Sequence, residues 1–253
     1  MSELSNKSRR LCVAGCVALL FASVAWSKDK DKAAAGKDVD SGSFGVFNSG
    51  HRVATEVFSI RQGGEGSVVA SEFKSEQGEQ KAEQSSNLEL TPSVELRRYE
   101  WKEISPEKTQ ATVSPSDTFL IERFGEGAGD KEHEQNFLLP ASTSILDDYF
   151  FVHREVLAWK YLATACKQDK DKGVLGCPLG QKVQLGTLNP HARSSMAVTI
   201  EFTGKDKVTI RGGERELNRF VLRSETGDWA FWLDDQFKLI RLLSDGGTEV
   251  VRD

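Results

Sequence analysis

The segment from Ser142 to Thr164, STSILDDYFFVHREVLAWKYLAT, is the one long stretch after the N-terminus with helical periodicity, and its reading decides the fold. Leu146, Tyr149, Phe150, His153, Val156, Leu157 and the pair Lys160–Tyr161 recur at three- and four-residue spacings, which lines bulky groups along one side of a helix. The reading starts this helix near Ser144, with Ser142 or Ser144 as the N-cap and with Asp147 and Asp148 in the first turn, where carboxylates favour the helix dipole. So aromatic a face needs a cover.

Almost everything else after residue 43 reads as strands and turns. The expected fold is therefore α+β and mainly antiparallel β, a strongly curved sheet or half-barrel packed over one long helix. Phe44–Arg61 gives a strand, a turn at Asn48-Ser49-Gly50 and a second strand, and Ser67–Phe73 follows after a glycine-rich turn. Leu88, Leu90, Val94 and Leu96 share one parity and Tyr99 and Trp101 take the other, which implies a bulge or bend. Met196, Val198, Ile200 and Phe202 alternate cleanly, with Gly204-Lys205-Asp206 read as a turn before Val208 and Ile210. Gly125–Asn136 reads as a mobile loop.

The 253 residues carry 38% hydrophobic and 28% charged side chains, 5 Trp, 14 Phe and a net charge of -5. Such a mildly acidic chain is suited to a single domain and argues against nucleic acid as a partner. Residues 1–27 read as a signal peptide: Lys7, Arg9 and Arg10 precede an uncharged apolar run, with small residues Ser23, Ala25 and Ser27 behind it. A second reading of the same segment takes Val13-Ala14-Gly15-Cys16 as a lipobox, which would anchor the chain through a lipid on Cys16. Residues 28–42 read as a disordered spacer and 43–253 as one β-rich domain. The expected location is periplasmic or secreted, at most peripheral to a membrane.

Export leaves Cys166 and Cys177, ten polar, glycine-punctuated residues apart, and these are expected to form a disulfide. No G-x-S-x-G, H-E-x-x-H or P-loop is present, and the histidines His51, His133, His153 and His191 share no metal-ligand spacing. Asp147-Asp148 and Asp234-Asp235 are adjacent acidic pairs, explained by a helix start and a tight turn. His153 reads as a packed core residue. The expectation is no catalytic residue, no metal and no cofactor.

Aromatic residues are the informative remainder. Phe150, Trp159, Trp229 and Phe231 are the candidate lining of an apolar cavity between sheet and helix, against the alternative of a solid core. The closing segment, Phe220-Val221-Leu222, Trp229-Ala230-Phe231-Trp232-Leu233-Asp234-Asp235 and Leu239-Ile240-Arg241-Leu242, together with the order of elements, resembles bacterial envelope proteins related to the lipoprotein-carrier (LolA/LolB-like) half-barrels. That resemblance implies a bent antiparallel sheet round a hydrophobic cavity and a non-catalytic role with a lipid, acyl chain or lipoprotein as partner. The alternatives are a structural or interaction module of the cell envelope and an enzyme of unrecognised type.

Overall fold

The computed structural model describes residues 36–76, 81–126, 131–169 and 174–253. Both readings of the first 27 residues, signal peptide and lipobox, lie outside the described residues.

Among the described residues, seventeen strands and one helix follow in order. The first eight are β1 (Lys37–Asn48), β2 (His51–Gly63), β3 (Gly66–Ser75), β4 (Glu83–Leu90), β5 (Leu96–Ser105), β6 (Thr109–Ser116), β7 (Phe119–Glu126) and β8 (His133–Phe137). They run as an antiparallel meander from β1 out to β8. The chain then forms the two-residue strand β9 (Ser144–Ile145), helix α1 (Val152–Ala165) and the short pair β10 (Lys167–Asp169) and β11 (Val174–Gly176). A second meander comprises β12 (Lys182–Asn189), β13 (Ser194–Ile210), β14 (Gly213–Ser224), β15 (Gly227–Leu233), β16 (Leu239–Ser244) and β17 (Thr248–Arg252). The two meanders join where β1 pairs antiparallel with β17, giving one 15-stranded sheet with β8 at one edge and β9 at the other. β9 reaches that edge by pairing parallel with β12.

The seam between first and last strands is fixed electrostatically. Arg252 on β17 forks onto Asp40 on β1 with bonds of 2.7 and 2.8 Å, a bidentate geometry that sets register as well as attraction. Burial opposes ionisation of Asp40, but the hydrogen bonds and charge of Arg252, with Lys238, hold its carboxyl below the usual range. Of the spacer expected over 28–42, residues 28–35 lie outside the described residues, and from Lys37 the chain is instead strand β1, ordered by its pairing with β2.

Other expectations shift for physical reasons. The helix is 14 residues, Val152–Ala165, not the long one expected from Ser144. Ser144 and Ile145 are taken by the sheet, and Asp147 turns its carboxylate to Tyr99 and His191 instead of to a helix end. The bulge expected from the parity change between Leu96 and Tyr99 is present, where Glu89 pairs with Arg98 but Leu90 with Leu96, while Leu90 and Leu96 themselves belong to two strands joined by a turn over Thr91–Glu95, closed by the Thr91 N–H to Glu95 carbonyl bond of 2.8 Å. Gly204 does not turn the chain: β13 continues through it as a 17-residue strand, with a bulge between Phe202 and Gly204 at a φ of 105° that only glycine adopts at ease. The segment read as a loop over 125–136 contains the start of β8, paired with β7. Cys166 and Cys177 are disulfide-bonded, tying the helix end to the β10–β11 hairpin.

The core collects on the helix side of the sheet. Nine helix residues are buried, including the charged or polar His153, Arg154 and Glu155, so the helix is enclosed well beyond one apolar stripe. Phe44, Ile60, Leu88 and Tyr99 from the first meander pack in the same cluster as Phe220, Phe231, Leu233 and Leu242 from the second. A smaller cluster of Val208, Leu217, Trp232 and Ile240 forms separately, since Trp232 has the opposite strand parity to Phe231.

Candidate ligand-binding clefts around the helix

Helix α1 begins without a side-chain cap of its own. The missing acceptor comes from β2: the Glu56 carboxylate takes the N–H groups of Phe151 and Val152 at 2.7 and 3.3 Å and the Ser71 hydroxyl at 2.7 Å. Further along, the Glu155 carboxyl accepts the N–H of Leu239, at the start of β16, at 3.0 Å. One helix is thereby bonded to both meanders.

Ahead of the helix lies a polar knot. Asp147, fully buried, accepts from the Tyr99 hydroxyl at 2.8 Å and the Tyr149 N–H at 2.9 Å, and pairs with His191 Nδ1 at 2.7 Å. His191 Nε2 reaches Gln84 Oε1 at 2.8 Å, and its ring stacks on Trp101 at 3.9 Å. Burial alone would raise the Asp147 carboxyl, but the hydrogen bond and charge of His191 reverse this and hold it low. Both ring nitrogens of His191 are engaged, which fixes the ring between Asp147 and Gln84.

Among the described residues, three of the clefts bear on this core. The first, about 490 Å³, lies between Trp101, Thr109, Gln110, Glu122 and Phe124 and the turn carrying His191 and Arg193. The Arg193 guanidinium sits 4.3 Å over the Phe124 ring, on a backbone with φ of 50°. Neither oxygen of buried Glu122 has a hydrogen-bond partner, and the same holds for the Trp101 indole N–H. Burial pushes the Glu122 carboxyl up to about 7, against the opposing charge of Arg193 and with a contribution from Asp147. A group near neutrality can hold or release a proton at physiological pH.

A second cleft, about 330 Å³, is lined by Val39, Ile60, Val69, Leu90, Val156 and Trp159, with Lys238, Gln62 and Gln236 also in its wall. Trp159 is fixed there by its indole N–H, which donates to the Phe237 carbonyl at 2.9 Å. The third, about 320 Å³, lies on the other meander and is lined by Phe151, Arg154, Met196, Leu222, Ser224 and Trp229 among others.

The four aromatic residues expected to share one cavity are thus distributed. Trp159 and Trp229 line separate clefts, while Phe150 and Phe231 are fully buried packing residues, Phe150 against His153 and Phe231 stacked on Phe220 at 5.3 Å. His153 is buried with both ring nitrogens unpartnered and edge-on to Tyr99, and burial lowers its pKa to about 4, so it packs as a neutral ring. Glu56, Glu122, Arg154 and His191 were not anticipated. A signal existed for two of them: Glu56 shares the inward parity of Ala54, Phe58 and Ile60, and Glu122 that of Leu120 and Phe124, and a carboxylate in an apolar strand face marks a site that needs explanation. Among the described residues no group of three or more His, Cys, Asp or Glu side chains could hold a metal, and no helix is long and apolar enough to cross a membrane.

No family model matches the chain, the lipoprotein carriers' included, and no curated protein matches it. Among solved structures the chain is similar to the crystal structure of a DUF1089 family protein from Pseudomonas aeruginosa, with a TM-score of 0.41 and 10% sequence identity, over 77% of this chain and 90% of that chain.

Proposed function

We propose that the sheet wraps the helix as a half-barrel and that the chain is a non-catalytic protein of the cell envelope, exported to the periplasm or beyond, which holds an acyl chain in the cleft beside Trp159. The observation that carries this reading is the composition of that cleft. Six apolar side chains from β1, β2, β3, β4 and the helix line one space of about 330 Å³, with Lys238, Gln62 and Gln236 in the same wall. Ligand sites are built this way, an apolar interior with a few polar groups that fix orientation, and the volume lies at the lower end of their range of about 300–1,000 Å³. An acyl chain entering it gains about 0.8 kcal/mol for each CH₂ removed from water. The bonds from α1 to Glu56 on one meander and to Leu239 on the other support the wrapped arrangement.

The test is native mass spectrometry of protein purified from its own envelope, with fatty-acid titration followed by tryptophan emission. Wild type should carry or take up lipid, and Val69→Trp, which fills the cleft, should not. If no lipid co-purifies and emission is unchanged at saturating fatty acid, the interaction-module reading replaces this one.

A further inference from the structure

The third cleft holds a buried guanidinium that makes no direct ion pair with any described carboxylate. Arg154 is 4% exposed, its Nε has no hydrogen-bond partner, and the single bond its guanidinium makes is a long one of 3.3 Å from Nη1 to the Asp147 carbonyl. The guanidinium lies instead over two aromatic faces, 4.5 Å from the Trp229 ring and 5.2 Å from that of Phe151. Burying a cation away from water is costly unless it is paired, and cation–π contact offsets only part of that cost. Five N–H donors in a planar fork match a carboxylate, and here most of that capacity is unused. The side chain remains cationic at neutral pH: burial lowers its pKa only to about 10, with Asp148 the first of the charges opposing the drop.

The remaining lining defines the ligand. Leu146, Phe151, Met196, Leu222 and Trp229 are apolar, with Ser224 and Thr226 among the polar groups. Asp148, exposed and accepting from the Asn189 amide at 2.7 Å, places one negative charge in the same cleft. We propose that this cleft binds a small monocarboxylate with an apolar body, its carboxylate on the Arg154 guanidinium and its body against Trp229 and Met196. The cost of desolvating a ligand grows as the square of its charge, whereas the pull of one guanidinium set against Asp148 grows only in proportion to it, so the site favours one negative charge over two. The site does not depend on the acyl-chain reading. Val156 and Trp159 line the other cleft, and at 3.6 residues per turn they lie roughly 160° and 140° round the helix from Arg154.

The experiment titrates full-length mature protein with 3-phenylpropionate, 3-phenylpropionamide and phenyl phosphate, by calorimetry and by the shift of the Trp229 indole N–H resonance. The carboxylate should bind and move that resonance, with the amide and the phosphate each weaker by about tenfold or more, the scale of a lost charged hydrogen bond. Arg154→Met should lose that preference, Asp148→Asn should tighten carboxylate binding and narrow the gap to phosphate, and Met196→Trp, which fills the cleft from its half-buried side, should abolish binding. Equal affinity for carboxylate and amide, or binding unaltered in Met196→Trp, overturns the proposal. Should Arg154→Met fail to fold, the Asp148→Asn and Met196→Trp results decide. Fatty-acid uptake beside Trp159 is measured on the same samples, so either site can fail alone.

Discussion

Glu56 Oε2 lies 2.7 Å from the backbone nitrogen of Phe151, a residue 95 positions later in the chain, and by that contact a strand caps the helix. The first N–H groups of any helix lack partners within it, and a carboxylate there also meets the positive end of the helix dipole. Because the Phe151 and Val152 N–H groups go to different oxygens, an amide cannot replace the carboxylate without turning its NH₂ toward one of them. Glu56→Gln should therefore cost about 1–3 kcal/mol in urea unfolding, and Glu56→Ala more, since it also opens a cavity. A Glu56→Gln protein as stable as wild type would show that the cap contributes nothing.

Glu122 sets a pH dependence. Burial pushes both Glu56 and Glu122 from 4.5 up to about 7, so between those values the folded state holds protons that the unfolded state has released. The stability this contributes is fully present below 4.5 and is lost as pH rises through 7. His153 acts in the opposite sense, because burial lowers it from 6.5 to about 4 and its neutral form is favoured in the fold as pH rises through that window. The Glu122→Gln variant isolates one contribution. It should match wild type near pH 4 and exceed it in Tm at pH 8, where wild type carries an unpaired buried carboxylate. Parallel Tm curves across that range would count against an ionised Glu122 in the fold.

Much of the sheet was legible because strand alternation is a local property. Trp229, Phe231 and Leu233, or Val198 and Ile200, show it without reference to anything distant. What escaped depended on partners far along the chain. Asp147 looked like a helix-start residue because its neighbours are helical, and only the fold brings Tyr99 and His191 to it, 48 and 44 positions away. The helix was placed too early for the same reason, and its cap on Glu56 could not be read from the segment itself. The clefts escaped because they arise from the packing of strands against one helix rather than from any motif. Aromatic content flagged Trp159 and Trp229 but could not say that they face different spaces.

The Cys166–Cys177 bond joins residues 11 positions apart at the C-terminal end of α1. In the chain-entropy account, a loop of this size restricts the unfolded state by about 3 kcal/mol. The paired Cys166→Ser and Cys177→Ser variant should lose roughly that much, with faster amide exchange confined to the last helical turn and to the β10–β11 hairpin. Uniform loss of protection across the sheet would contradict such a local role.

The Asp147–His191 pair gives the sharpest test of the polar knot. His191→Ala removes the partner that holds the buried Asp147 carboxyl low, strips Gln84 of its bond and uncovers the Trp101 face. Breaking a buried pair from one side costs about 3–5 kcal/mol, because a charge is left without its counterpart. For a domain of this size that is a fall in Tm of roughly 10 °C. The sign of the pH effect follows from the lowered pKa of Asp147: its stabilisation is present above 3.8 and is lost as pH falls through the still lower folded value. The gap between wild type and His191→Ala should accordingly be widest near pH 7 and close as pH approaches 3. Asp147→Asn should also destabilise, but the double variant Asp147→Asn with His191→Ala should cost less than the two single changes added together, since the second change has no Asp147–His191 contact left to break. Additive costs, or a gap as wide at pH 3 as at pH 7, would show that His191 matters here only through its stacking on Trp101.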